Sequence, residues 1–377
     1  MRIVIAPDSF KDALRARGVA ERIAAGLRSV LPGVSVDSLP VSDGGEGFAG
    51  VFGEHPGVHF QSSTTTDPLG RPIEAQWGTL SGKPPVSFYE LASASGLEHL
   101  ARCERNPMRT TTFGTGTLIR DTRDIGERDI VLGIGGSATT DAGCGIAQAL
   151  GMTFFDCEDR LMKQPITGAD LLQIAWLKKP VDAEASGVLM RIACDVTNPL
   201  TGPNGAAYVY GPQKGATPGQ IEQLDAGLRH MAQLWRDQLG VDVEHLPGAG
   251  AAGGVGGGLV AMLGAELVPG AELVLDIIGF DERMKDTDLV ITGEGRLDGQ
   301  SLQGKAAIAV ARRCQKAGVP CVALVGSVGE GAEQALDHGL SAYQIIGEGL
   351  PAEESIRRTG ELLELAAMKL ARERLLD

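Results

Sequence analysis

Three short segments each carry two carboxylates, the last two of them among glycines: Asp8-Ser9-Phe10-Lys11-Asp12, Asp43-Gly44-Gly45-Glu46-Gly47 and Gly293-Glu294-Gly295-Arg296-Leu297-Asp298. Carboxylates held where a backbone turns tightly suit Mg2+ coordination, general-base work or binding of ligand hydroxyls. Aspartate and glycine are also ordinary turn formers and helix caps, and for any one segment that plainer reading suffices. All three, however, come directly after runs that read as strands. In parallel α/β sheets, ligands sit at the carboxyl ends of strands, so three such segments together point to a site.

Two further segments carry anion-binding chemistry. Ile134-Gly135-Gly136-Ser137-Ala138-Thr139-Thr140-Asp141 follows a strand and opens a helix, offering hydroxyls and N–H groups to an anion or simply N-capping that helix. Cys194-Asp195-Val196-Thr197-Asn198 ends a strand with a carboxylate and an amide, and Gly211-Pro212-Gln213-Lys214-Gly215 presents a lysine on a rigid turn.

Two nucleotide motifs are nearly present, and both fail on a particular. Gly299 to Lys305 fits the G-x4-G-K of a P-loop, but Ala306 stands where the Mg2+-ligating Ser or Thr belongs. Lys305 then serves either a different phosphate-binding turn or an exposed helix start. Gly248-Ala249-Gly250-Ala251-Ala252-Gly253 matches G-x-G-x-x-G, yet Val241–Leu246 before it contains Asp242, Glu244 and His245 and makes a poor buried strand. A glycine-rich helix entry near a ligand is the better account. No H-E-x-x-H pair occurs among the six histidines, the H-x3-H of His55 and His59 has no cysteine or further histidine near it in the chain, and no G-x-S-x-G elbow stands out.

These segments must be positioned by a larger frame. Strands are expected at Arg2–Ala6, Val34–Leu39, Asp129–Ile134, Ile192–Val196, Asp288–Thr292 and Pro320–Gly326. Helices are expected at Leu14–Val30, Asp141–Leu150, Ile221–Leu239, Lys305–Lys316 and Glu353–Leu376, with Gly202–Thr217 as loop. Apolar strands separated by helices imply a mostly parallel sheet covered on both faces. At 377 residues two domains are expected. One α/β domain would form from both chain ends, residues 1–75 plus 285–377, with a second inserted at 76–284.

Composition narrows the class. The 53 glycines are twice the usual share of about 7%. Net charge is −14 and aromatics make up 4%, which argues against nucleic acid and anionic membranes as partners. The six cysteines show no C-x-x-C and read as small hydrophobes of a reducing compartment. No apolar run reaches the roughly 20 residues of a membrane span, and the N-terminus lacks a signal-peptide pattern. A cytoplasmic protein is expected.

The chain resembles the bacterial glycerate kinases of the glycerate 2-kinase type. The match runs almost end to end through IAPDSFKDALRA, PVSDGGEGF, TDPLGRPIEAQWG, ELASASGL, LGIGGSATTDAGCGI, ACDVTNPLTGPNGAA, YGPQKGAT, PGAGAAGGVGGGL and VITGEGRLDGQSLQGK. Ala307, Gln303, Phe113 and Thr140 depart from the family pattern, without removing a carboxylate or lysine the chemistry needs. The resemblance implies phosphorylation of D-glycerate by ATP with Mg2+, and two α/β domains, one flavodoxin-like, with the active site in the cleft between them.

On that reading Lys11 and Arg71, both in matched blocks, are anion contacts, and Lys11 equally suits a nucleotide phosphate. Asp8, Asp43, Asp195, Glu294 and Asp298 are the carboxylates from which base and metal ligands are drawn. Asp195 is the expected base, with Asp8 and Lys11 beside the chemistry and Glu294 and Asp298 nearer the metal. Ser9, Asp43, Gly44, Gly45, Glu46, Gly135, Gly136, Ser137, Asn198, Lys214 and Lys305 complete the expected substrate and phosphate contacts. A kinase for another small hydroxy acid, phosphorylation at O3, an NAD-dependent hydroxy-acid dehydrogenase and a non-catalytic sugar-acid sensor stay open. So does the oligomeric state, a homodimer included.

Overall fold

The computed structural model describes residues 1–44, 48–53, 55, 57–82, 85–123, 129–180 and 189–375. Its strands are β1 Arg2–Pro7, β2 Ser35–Ser38, β3 Val58–Thr66, β4 Pro72–Leu80, β5 Val86–Glu90, β6 Asp129–Gly133, β7 Thr153–Phe155, β8 Trp176–Lys178, β9 Leu189–Ala193, β10 Glu266–Val268, β11 Leu289–Leu297, β12 Cys321–Val328 and β13 Ala342–Ile345. The chain is mixed α/β and falls into two compact units.

The first unit comprises Met1–Asp43, Gly50–Phe52 and Pro269–Asp377. Its five strands are all parallel, in the order β13-β12-β11-β1-β2. Renumbered within the unit this is 2-1-3-4-5, the flavodoxin-like order, whose switch point falls between β1 and β11. Alternate residues Ile3, Ile5, Leu289, Ile291, Val322 and Leu324 face the helices Ala16–Val30 and Thr359–Arg374. Those helices approach closely because Gly26 has no side chain: a Cβ there would lie 2.3 Å from the Glu364 carbonyl oxygen. The helix Ala306–Ala317 packs on β1, β11 and β12 as well.

Two expectations change in this unit. β11 runs on to Leu297, so Gly293–Leu297 is the end of a strand and not a loop after one. Glycine makes that possible, since a Cβ at Gly293 would sit 2.5 Å from Leu324 O and one at Gly326 2.5 Å from Gly295 O. The C-terminal helix is also broken. Ala352–Arg357 and Thr359–Arg374 are separate, with Arg358 at φ −102°, ψ 11° and Thr359 Oγ1 donating to Ser355 O at 2.9 Å.

The second unit comprises Gly44–Ala49 and Gly53–Val268. Its main sheet has the order β10-β9-β6-β5-β4-β3. The first four of these strands are parallel, and β4 and β3 continue as an antiparallel hairpin. That hairpin explains why the first division falls near 43 rather than at 75, since β4 hydrogen-bonds to β5 and both hairpin strands belong to this sheet. The second division, at 269 rather than 285, directly follows β10, which pairs with β9. β3 is mostly polar and largely exposed, and hydrophobic periodicity does not mark it. Gly202–Thr217 is not all loop, for it contains the helix Ala206–Tyr210 and a 3-10 turn Pro212–Lys214. The core of this unit gathers Trp235, Leu228, Met231 and Phe154 around the helix Pro218–Leu239.

All six cysteines are free; Cys144, Cys314 and Cys321 are buried, whereas Cys103, in the 3-10 helix Arg102–Glu104, and Cys157, on a turn, are exposed. Among the described residues no helix is long and apolar enough to cross a membrane.

Candidate active site

In the first unit, the chain ends of β1 and β11 meet at the switch point. Asp8 follows β1 directly, and its N–H donates to Gly293 O at 2.8 Å. The segment after β2 runs alongside, with Val41 N–H donating to Pro7 O at 2.9 Å, and this carries Asp43 to the same end of the sheet. Asp8 Oδ1 accepts the Ser9 N–H at 2.6 Å. Burial, then the charges of Asp43 and Glu294, push the Asp8 carboxyl up to about 8. The loop closes through Phe10 N–H donating to Leu14 O at 2.8 Å, with Asp12 in the left-handed region at φ +61°. Lys11 is exposed on that loop, and its backbone nitrogen lies 3.4 Å from where a Gly295 Cβ would stand.

Glu294 is 6% exposed. Its Oε2 accepts from Ser301 Oγ at 3.0 Å, and Lys305 Nζ stands 3.7 Å away. Its Oε1 is buried and has no hydrogen-bond partner among the described residues. Burial raises this carboxyl to about 7, helped by Asp298 and Asp43 and opposed by Lys305 and Ser301. Asp298 is differently placed: Oδ1 accepts Gln300 N–H and Oδ2 accepts Arg296 Nε, both at 3.0 Å. Lys305 precedes the helix Ala306–Ala317, after Gly304 at φ +114°. The structure therefore brings Asp8, Ser9, Asp43, Glu294, Asp298 and Lys305 to one end of one sheet.

In the second unit, the candidates gather at the carboxyl ends of β6 and β9. The Gly135–Thr140 loop leaves β6, with Leu97 N–H donating to Gly136 O and Ala138 N–H to Ser95 O, both at 2.9 Å. Asp141 ends it fully buried, accepting the N–H and Oγ1–H of Thr112 at 2.7 Å each and the N–H groups of Gly143 and Gly145. Burial raises its carboxyl against those bonds. Asp195 follows β9 and is half-buried. Asn198 donates to Asn204 O at 2.8 Å and accepts from Tyr210 Oη at 2.7 Å. Gly44, at φ +88°, passes against the end of β9, where a Cβ would meet Ala193 Cβ at 3.0 Å. Gly45 and Glu46 lie outside the described residues.

Two expected anion contacts are otherwise engaged. The Arg71 guanidinium is spent on Asp67, on Glu104 at 2.7 Å and on His99 O at 3.0 Å, so it clamps a turn. Lys214 is not presented to solvent on its turn. It is 1% exposed and bonds to the Gly135–Thr140 loop. The Gly248–Gly253 run does not follow a strand, which removes the dinucleotide reading. Its glycines serve backbone packing instead: a Cβ at Gly253 would lie 2.1 Å from Thr139 O, and one at Gly250 2.2 Å from Pro199 O. Ser301 and Asp141 are not among the expected site residues, although each lies in a segment that the sequence marks, the near-P-loop block and the Ile134–Asp141 loop. That placement is a usable signal for Ser301, whereas nothing local announces that Asp141 is wholly buried.

Comparison with known proteins gives a consistent answer. The glycerate kinase family profile matches residues 3–375. A glycerate kinase from Halalkalibacterium halodurans is 44% identical, over 98% of this chain and 97% of its own. A glycerate 2-kinase from Escherichia coli is 42% identical, over 91% of this chain and 89% of its own. A crystal structure of a provisionally named glycerate kinase 2 from Salmonella typhimurium LT2 superposes with a TM-score of 0.84 at 41% identity, covering 99% of this chain and 97% of that one.

Proposed function

This chain belongs to the glycerate kinase family, and we propose that it transfers the γ-phosphoryl group of ATP to D-glycerate, yielding 2-phosphoglycerate in the catabolism of glyoxylate and sugar acids. The observation that carries the chemistry is the placement of Glu294 beside Lys305 at the switch point, with Asp8 on the neighbouring strand end.

Phosphoryl transfer needs charge neutralisation, alignment and a group that receives the hydroxyl proton. Glu294 fits a cation: it is buried, orphaned at Oε1, and held partly protonated near neutrality by that burial in spite of Lys305. Among the described residues no three His, Cys, Asp or Glu side chains form a complete metal cage. That suits Mg2+, which takes one or two carboxylates and fills its shell with phosphate oxygens and water. Glu294, with Asp8 as second carboxylate, would hold Mg2+, and the bound ion supplies charge neutralisation on the phosphates. Asp298, with both oxygens engaged, supports the turn that carries Ser301. Lys305 and Lys11 serve phosphate oxygens. The Gly135–Thr140 loop serves the glycerate carboxylate: Thr139 Oγ1 and Thr140 Oγ1 are buried without a hydrogen-bond partner among the described residues, as donors kept for a ligand or water would be. Asp195 receives the proton of the attacking hydroxyl.

The test is ADP release across a panel of small hydroxy acids, with phosphorus NMR of the product. D-glycerate should give the highest kcat/KM and a 2-phosphate. A better acid, or a 3-phosphate, would replace this assignment.

A further inference from the structure

Lysine is almost never fully buried, because desolvating its ammonium is costly unless hydrogen bonds replace water. Lys214 is 1% exposed. Its Nζ donates to Ser137 Oγ at 2.7 Å and to Thr139 O at 2.6 Å. The turn that carries it is rigid: Lys214 N–H donates to Gly211 O at 3.0 Å, and Gly215, at φ +87°, leaves no room for a Cβ, which would lie 2.2 Å from Arg105 O. Gly253 packs on the same segment, where a Cβ would lie 2.1 Å from Thr139 O, and Ala142 N–H donates to Gly253 O at 3.2 Å. The Gly135–Thr140 loop is thus bonded by a buried cation and packed against a glycine-rich segment.

We infer that Lys214 is a positioning residue, which holds Ser137 and Thr139 so that the loop is shaped for the substrate's carboxylate, and whose protonation state sets how firmly that shape is held. This rests on the reading of the loop as a glycerate-binding element. Burial pulls the Lys214 ammonium from its ordinary 10.5 down to about 7, with the buried Asp141 carboxylate opposing that fall. Asp141 faces it from the end of the same loop, and Arg105 lies on the segment packed against Gly215. Above neutrality the amine keeps two N–H donors but loses charge assistance, which accounts for about half the strength of such bonds. Substrate affinity should therefore weaken as pH rises through 7, on a limb that belongs to Lys214.

The experiment compares wild type, K214M, K214R and S137A by steady-state kinetics from pH 6 to 9, with amide hydrogen exchange of the Gly135–Thr140 loop. K214M and S137A should raise KM for glycerate by roughly 10-fold, the worth of a lost hydrogen bond to a charged group, with KM for ATP within about 2-fold. Loop exchange should quicken in both variants. K214R, charged throughout this range, should recover part of the affinity and abolish the alkaline limb. S137A decides the matter should K214M not fold. Wild-type activity on glycerate, with an unchanged alkaline limb in K214R and unchanged KM in S137A, would overturn the role of Lys214. Absence of wild-type turnover on glycerate would instead overturn the glycerate reading, and quickened loop exchange in S137A would then still report the clamp.

Discussion

Ser301 Oγ donates to Glu294 Oε2 at 3.0 Å across seven residues of chain, and Ser301 itself is wholly buried. The same hydroxyl lies 3.3 Å from both Arg296 O and the Asp298 nitrogen. One side chain therefore ties the end of β11 to the turn that leads into Lys305. S301A should leave the buried Glu294 less satisfied and cost about 1–3 kcal/mol. It should also weaken the Mg2+ dependence of turnover. Denaturant unfolding and an Mg2+ titration check both, and a variant as stable and as Mg2+-responsive as wild type would remove Ser301 from the site.

The raised Asp8 carboxyl makes stability depend on pH. Its folded value, about 8, exceeds the ordinary 3.8, so the folded state binds the extra proton between those limits. Its contribution is complete below 3.8 and is lost as pH rises through 8. In the absence of nucleotide and Mg2+, the midpoint of thermal unfolding should fall over this window. D8N should flatten the fall, and a slope unaltered by D8N would assign it to other groups.

Gly253 and Gly264 form a matched pair, at φ +72° and +68°. A Cβ at Gly264 meets nothing within 4 Å, whereas one at Gly253 meets Thr139 O at 2.1 Å. G264A should cost only the backbone conformational penalty, about 1–2 kcal/mol. G253A should cost more and raise KM for glycerate, because Thr139 must move. Equal losses in the two variants would show that packing against the loop is unimportant.

Asp195→Ala tests the proposed base. Turnover should fall by at least about 100-fold, the low end for general-base catalysis, while ATP binding by calorimetry stays near wild type. A variant that turns over normally would return the role to the carboxylates at the end of β1 and β11.

Arg71→Ala separates a turn clamp from a ligand contact. Loss of its bonds to Asp67, Glu104 and His99 O should lower the thermal midpoint with KM values for both substrates unchanged. A selective rise in either KM, at unaltered stability, would restore Arg71 as an anion contact.

Much of the frame was legible because periodicity is a local property. The apolar runs at Ile3–Ala6 and Val322–Val325 are short, β-branched and bounded by turn residues, which marks strands buried on both faces, and the amphipathic Ile221–Leu239 lays one side on a core. The carboxylate segments were legible as well, since Asp and Gly crowded after a strand are visible in the chain itself. Less legible was the β3–β4 hairpin, where polar residues such as Ser62, Ser63 and Thr64 pair along an exposed edge and leave no apolar stripe to read.

The sequence by itself determined the α/β class, the strand ends that carry carboxylates and, through its long ordered blocks, the family. Tertiary structure alone decided which of those groups share an environment. Asp8 and Glu294 are 286 positions apart and become neighbours only when β1 pairs with β11. Lys214 looks like any lysine on a turn until folding removes its water and leaves Ser137 and Thr139 to replace it. The physical reason is the range of the interactions. Propensity and turn chemistry act over a few residues, whereas desolvation and charge coupling depend on distances that exist only in the folded chain.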